Sequence, residues 1–219
     1  MHRPSRPEDL DRADRVWARA VAFALLEAAT EKPEGYWLDE HGVWCDASAG
    51  SYWWRASRAE NGNVVFCGQD SDSSCTHVDG RQIDFLAGGP DWLPWEQLRE
   101  DAEGNLFGFV YWSQDGVWHR IDYPEQLDDD GLQGAAEWLG SEEEFRSEAA
   151  ALACVRRSDE AAFTDALTRF LRRAEARTVD AAVVAELLTA AGPGDEDRGP
   201  LRVEPALDVA VRAGLTGQS

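Results

Sequence analysis

A chain of 219 residues is long enough to bury a substantial core, as one large domain or as a domain with a helical annex. Its 42 acidic residues stand against 21 Lys plus Arg, a formal net charge of -21, so its surface field repels phosphate backbones and anionic lipid heads. Direct nucleic-acid binding and peripheral membrane binding are therefore not expected, whereas a basic protein partner is electrostatically favoured.

The first thirty residues read as a helix. From Pro7 to about Thr30, Leu10, Ala13, Trp17, Val21, Ala24, Leu25 and Ala28 recur at helical spacing, while Asp11, Arg15, Arg19 and Glu27 fall on other faces. Pro7 suits a first turn, and Lys32-Pro33 closes the segment. The spacing predicts an amphipathic helix lying on the sheet that follows. Acidic residues precede the short apolar run from Ala20 to Leu26 and Glu27 follows it, which argues against a secretory signal. No run approaches the roughly 18 apolar residues of a membrane span. Cys45, Cys67, Cys75 and Cys154 are irregularly spaced, so reduced thiols in a cytoplasm are the expectation.

From Tyr36 to about Tyr123 the chain alternates and turns. Two stretches nearly repeat: Tyr36-Trp37 followed by Gly42-Val43-Trp44, and Tyr111-Trp112 followed by Gly116-Val117-Trp118. Each reads as a β-hairpin with an aromatic face. Their turns differ in length by one residue, which swaps side-chain faces if pairing is otherwise alike. Strands are predicted over 36–38, 42–46, 51–57, 63–68, 106–113 and 116–122, with turns at Glu40-His41-Gly42, Asn61-Gly62, Glu103-Gly104-Asn105 and Asp115-Gly116. In the fifth strand Leu106, Val110 and Trp112 alternate with Phe107, Phe109 and Tyr111, so it is expected to be buried on both faces.

Beyond Asp128-Asp129-Asp130-Gly131 the pattern becomes helical. Ser141 with Glu144 forms a capping box ahead of Phe145, Ala149, Leu152 and Val155. Ser158 can cap a second helix carrying Phe163, Leu167, Phe170, Leu171 and Ala174, and Thr178 a third carrying Val179, Val183, Leu187 and Leu188, stopped by Gly192-Pro193. An acidic linker from Gly194 to Asp197 and a last short helix from Pro205 to Ala213 complete the chain. The fold class expected is α+β: residues 1–130 forming the N-terminal helix and a Trp-rich antiparallel sheet, residues 131–219 a helical region packed on or beside it.

Four groups of residues carry candidate chemistry. Cys45, Cys67, Cys75 and His77 hold the donor types of a tetrahedral zinc site, but their spacing lacks the short Cys-x2-Cys knuckle, and half-buried thiols are the simpler reading. Asp70, Asp72 and Ser74 imitate the start of a calcium loop without its central Gly or its closing Glu. The loop from Gly88 to Trp95 offers Trp92 and Trp95 as large rigid contact surfaces. Asp128, Asp129 and Asp130, joined to Asp70 and Asp72, would form a negative rim around those tryptophans if the loops converge.

No nucleophile elbow, phosphate-binding Gly loop, zinc-protease helix or dinucleotide fingerprint is present, and His41 and His119 stand alone in hairpins. The function expected is a non-enzymatic cytoplasmic module without cofactor, capturing a basic protein in the manner of an immunity protein or antitoxin. In that reading Asp70, Asp72, Asp128, Asp129 and Asp130 steer association and Trp92 and Trp95 anchor it. Two readings compete: an enzyme or small-molecule binder with an aromatic, carboxylate-lined cleft, and an oligomeric structural subunit pairing through helices between Ser141 and Ala191.

Overall fold

The computed structural model describes residues 1–33, 35–46, 50–104, 106–192 and 199–217. The acidic stretch from Gly194 to Asp197, expected as a linker, lies outside the described residues, as does Asn105 of an expected turn.

After a 3-10 turn over Pro7–Asp9 comes helix α1, Ala13–Ala28, which the rest of the protein surrounds. Six strands then form one antiparallel sheet: β1 (Tyr36–Leu38), β2 (Val43–Cys45), β3 (Tyr52–Arg58), β4 (Val64–Asp70), β7 (Phe109–Gln114) and β8 (Val117–His119), adjacent in that order. The insertion between β4 and β7 holds a two-stranded ribbon, β5 (His77–Val78) with β6 (Arg81–Gln82), and helix α2 (Trp95–Gly104). Short helix α3 (Leu132–Ala135) leads into α4 (Glu142–Leu152), α5 (Glu160–Glu175), α6 (Ala181–Ala191) and α7 (Val203–Arg212). Among the described residues, no helix is long and apolar enough to cross a membrane.

Strand alternation sends side chains into two separate clusters. Tyr36, Cys45, Trp54, Phe66, Phe109 and Tyr111 face inward, onto α1 and the C-terminal helices. Val65, Cys67, Val110 and Trp112 face outward, where the β4–β7 insertion covers them with Phe85, Leu86, Leu93 and Leu98. The fifth strand is thus buried on both faces, as its two apolar sets require. Phe107 departs from the expected alternation and joins the outer cluster, because the strand begins only at Phe109.

The two aromatic hairpins occupy opposite edges of the sheet, and their faces differ as the turn lengths require. Trp37 lies opposite Trp44, whereas Trp112 lies opposite His119 and Trp118 opposite Ser113, turning inward. Asp115 and Gly116 both have positive φ, 52° and 78°, as a two-residue hairpin loop demands. Asn61-Gly62 instead belongs to a three-residue loop: Ala59 N–H donates to Asn63 O at 2.9 Å, Gly62 N–H to Ala59 O at 2.9 Å, and Gly62 alone is left-handed. At Gly42, φ is 133° and a Cβ would lie 2.2 Å from Ala56 O, so only glycine lets the first hairpin lie against β3.

Helix α1 corrects the expectation of an amphipathic helix resting on a sheet. Every residue from Val16 to Glu27 is buried, Arg19 and Glu27 included, because α4, α5 and α7 close over the face turned away from the strands. Arg19 is accommodated by Asp11 and Glu142 at 3.4 and 3.6 Å, and its guanidinium lies 5.2 Å from the Phe145 ring centre. Of the expected helix caps, Ser141 accepts from Glu144 N–H at 3.0 Å, while the third helix is capped by Asp180 rather than Thr178, through Val183 N–H at 2.9 Å.

Trp138, between α3 and α4, fills the space where these layers meet: Phe23 of α1, Trp54 and Phe66 of the sheet, and Phe145 of α4 all lie within ring contact of it. Trp138→Ala should cost about 3–5 kcal/mol, read as a lower urea midpoint, while Val211→Ala on the exposed face of α7 should change stability by less than about 0.5 kcal/mol.

Candidate functional site

Strand register builds one row of side chains across the outer face: Trp37, Trp44, Arg55, Cys67 and Val110, each opposite the next. Trp53 stands two residues before Arg55 on the same face. The indoles of Trp37 and Trp44 stack, with ring centres 6.1 Å apart and planes 7° from parallel. Trp53 continues the strip at 5.9 Å from Trp44, and Phe107 follows at 5.7 Å. Trp37, on the edge strand, is 42% exposed, and Trp44 and Trp53 are half-buried. Three adjacent indoles, open at one end and packed at the other, form a rigid surface that loses little entropy on contact.

The cover reaches as far as Arg55. Its side chain has no solvent exposure, its guanidinium carbon lies 4.9 Å from the Trp44 ring centre, and it makes a close ion pair with Asp101 of α2. The guanidinium also reaches the Cys67 thiol, so Arg55 is held between Asp101, Cys67 and the Trp44 ring. Gln97 Nε2 donates to the other oxygen of Asp101 at 3.0 Å. Burial pushes the neighbouring Cys67 thiol up to about 12, although Arg55 opposes the shift, so this cysteine is neutral and inert.

The acidic loops do converge, but not around Trp92 and Trp95. Cys75 N–H donates to Asp129 O at 2.8 Å and Ser74 Oγ to Asp130 O at 3.0 Å. Gly131 (φ 79°) permits this approach, since a Cβ there would lie 2.1 Å from Ser74 Oγ. Asp72 and Asp128 are exposed; Asp70 and Asp129 are half-buried. Asp70 also holds its own turn, accepting from Asp72 N–H at 2.9 Å and Ser73 Oγ at 2.8 Å, and Arg3 lies 3.6 Å from Asp129. Trp92 lines a cleft with Val65, at the start of β4, whereas Asp70 ends that strand, roughly 16 Å away by strand rise. Trp92 and Trp95 are half-buried and pack on the outer cluster, and Trp95 Nε1 donates to Pro90 O at 3.2 Å. The acids instead adjoin the strip at Trp53, whose cross-strand neighbour, Gln69, directly precedes Asp70.

Asp130 leaves the exposed rim altogether. It is 1% exposed and accepts from Ser5 N–H and Oγ, from Tyr123 OH at 2.9 Å and from Leu132 N–H, while Ser5 Oγ also meets Tyr111 OH at 2.7 Å. It fastens the N-terminal segment to the sheet and to the start of α3. The zinc candidates do not assemble either: Cys45 faces the inner cluster and Cys67 the outer, and Cys75 Sγ donates to His77 O at 3.3 Å. Among the described residues, no group of three or more His, Cys, Asp or Glu is placed to hold a metal ion. His119 stacks on Trp112 at 6.5 Å, and His41 is exposed in the β1–β2 turn.

No protein-family model, curated protein or solved structure matches this chain.

Two measurements check this assignment of roles. Arg55→Met alone should destabilise the protein by about 3–5 kcal/mol by stranding Asp101, whereas combining it with Asp101→Leu should recover most of that loss in chemical denaturation. Burial raises the Asp130 pKa, against its hydrogen bonds from Ser5 and Tyr123. Its contribution to stability is therefore fullest below the ordinary carboxylate range and falls as pH climbs to the elevated native value. The stability of wild type minus that of Asp130→Asn should accordingly decline over that window.

Proposed function

We propose that this protein is a non-catalytic binding module that captures a basic protein, with the Trp37–Trp44–Trp53 strip as its contact surface. The observation that carries the reading is the parallel stack of Trp37 on Trp44 at an uncovered margin of the outer face, in a chain of net charge -21. Exposed carboxylates stand around it: Glu40 at the β1–β2 turn, Asp46 after β2, and Asp72 beyond the end of β4. Their field would draw a cationic surface toward the strip, and the indole faces would take its guanidinium groups. Arg55 on Trp44 is an internal instance of the same contact.

The role resembles that of an immunity protein or antitoxin: a rigid acidic surface masking a basic effector. Acid–base catalysis has less support. Asp130 is closed to solvent, and Glu148, whose pKa burial also raises, is engaged by the Tyr36 hydroxyl.

An arginine-rich peptide and a lysine-rich peptide of equal length and charge separate the strip's contribution from general attraction. The intact protein should bind the arginine peptide more tightly, and Trp37→Ala should weaken that binding about tenfold while leaving the lysine peptide almost unaffected. Trp92→Ala should change neither. Equal affinity for both peptides, or an arginine preference that survives Trp37→Ala, would remove the strip from the interface.

A further inference from the structure

Three arginines from distant parts of this acidic chain meet at the end of the sheet opposite Asp70. Arg58 ends β3, Arg177 lies two residues past α5, and Arg212 is the last residue of α7. Together with His41, Trp17 and Gly62 they line a cleft of about 290 Å³. Arg58 and Arg177 approach one point: their Nη2 atoms lie 4.0 and 3.7 Å from where a Cβ on Gly62 would stand.

This convergence is only partly neutralised, since the Arg58 Nη2 that faces Gly62 is also the atom that holds Asp14. Arg58 is 12% exposed and pairs with Asp14 at 2.6 Å. Burial lowers its pKa and the Arg177 charge lowers it further, against the pull of Asp14. Arg177 has no carboxylate partner among the described residues, and its backbone is left-handed, at φ 53°. Arg212 donates to Leu38 O at 3.0 Å, with Asp208 3.8 Å from its other nitrogen. Asp39, Glu40 and Glu60 also border the cleft. Asp39 is turned into its own loop, accepting from His41 N–H at 2.8 Å and Gly42 N–H at 3.1 Å. Glu40 and Glu60 are exposed, where water and salt screen them, while the Arg58 charge is largely shielded from solvent. Arginines often sit at helix ends to offset the helix dipole, but Arg177 and Arg212 also reach other elements, Arg177 toward Gly62 and Arg212 to Leu38 O.

We propose that this cleft binds a small phosphate-class oxyanion, held between the guanidinium groups of Arg58 and Arg177 with Arg212 at its side. Planar guanidinium donors suit such an anion, and bridging it would relieve the repulsion between the two. The volume exceeds that of the anion alone and leaves room for a small organic group esterified to it. The cleft and the indole strip share the β1–β2 turn at Glu40, but anion binding here does not depend on the function proposed for the strip.

The test is calorimetric titration of the full chain at constant ionic strength, with inorganic phosphate in one arm and glycerol 3-phosphate in the other. Wild type should show saturable binding with a Kd below about 10 mM in at least one arm, and tighter binding of the ester would identify the ligand as a phosphate monoester. Arg177→Glu, at an exposed and unpaired position, should fold normally by circular dichroism and lose at least about tenfold in affinity. Arg177→Gln should fall between the two. Absence of saturable binding in both arms, or saturable binding unchanged in Arg177→Glu, would overturn the proposal.

Discussion

The contact between Arg55 and Asp101 decides how the outer face of the sheet is used. Helix α2 is rich in charge: Leu98 and Asp101 are its buried residues, and Trp95 and Ala102 pack partly on the outer cluster. A guanidinium with no solvent exposure, seated on Trp44 and beside Cys67, gives the helix a fixed point. A buried charge is tolerable only with its partner in place, so the helix and the strand constrain each other. On one side of this pair the insertion seals Val65, Cys67, Val110 and Trp112 beneath it; on the other, the indoles run out to solvent at Trp37.

Opposite faces of one sheet are thus put to different purposes. The inner face belongs to a large core in which α1 is the shared element, its alanines allowing sheet and helices to approach it closely. That core draws on residues from both sides of position 130. Arginines serve largely as internal connectors: Arg12, Arg15 and Arg19 meet Asp11, Glu142 and Glu175 to tie α1 to α4 and α5. Each such pair consumes one charge of each sign, so the acidic excess is carried by residues without such a partner, and the long-range field stays negative. Against that field, the arginine-lined cleft at the far end of the sheet is a local exception.

Much of the architecture was legible because period-2 alternation and turn chemistry are local properties. All six strands of the main sheet were foreseen, and so was the face swap between the two aromatic hairpins, since a single residue in a turn decides it. Helix α2 was not. Its apolar stripe is only Trp95, Leu98 and Ala102, it buries a carboxylate, and its Glu103-Gly104 end resembles a turn. Helix α1 reads as amphipathic because Arg19 and Glu27 suggest a wet face; only tertiary partners distant in sequence make their burial possible. The site was half legible. The indoles of Trp37 and Trp44 belong to a repeated aromatic pattern, whereas Trp53 lies outside it, and the Gly-rich loop around Trp92 carries the stronger local signature of a recognition loop. No local pattern tells an exposed indole from one packed on a sheet. Asp130 looked like its two neighbours, and its burial depends on Ser5, Tyr111 and Tyr123, far from it or across a turn.

The uncovered end of the indole strip is where we propose that a cationic partner lands. The most direct check follows the ten indole Nε1–H resonances by heteronuclear NMR while an arginine-rich peptide is added at physiological ionic strength. Saturable shifts of the Trp37 and Trp44 signals, with those of Trp92, Trp95 and Trp138 unmoved, are the predicted result. Shifts confined to Trp92 and Trp95, or peptide bound with no indole perturbed, would contradict it.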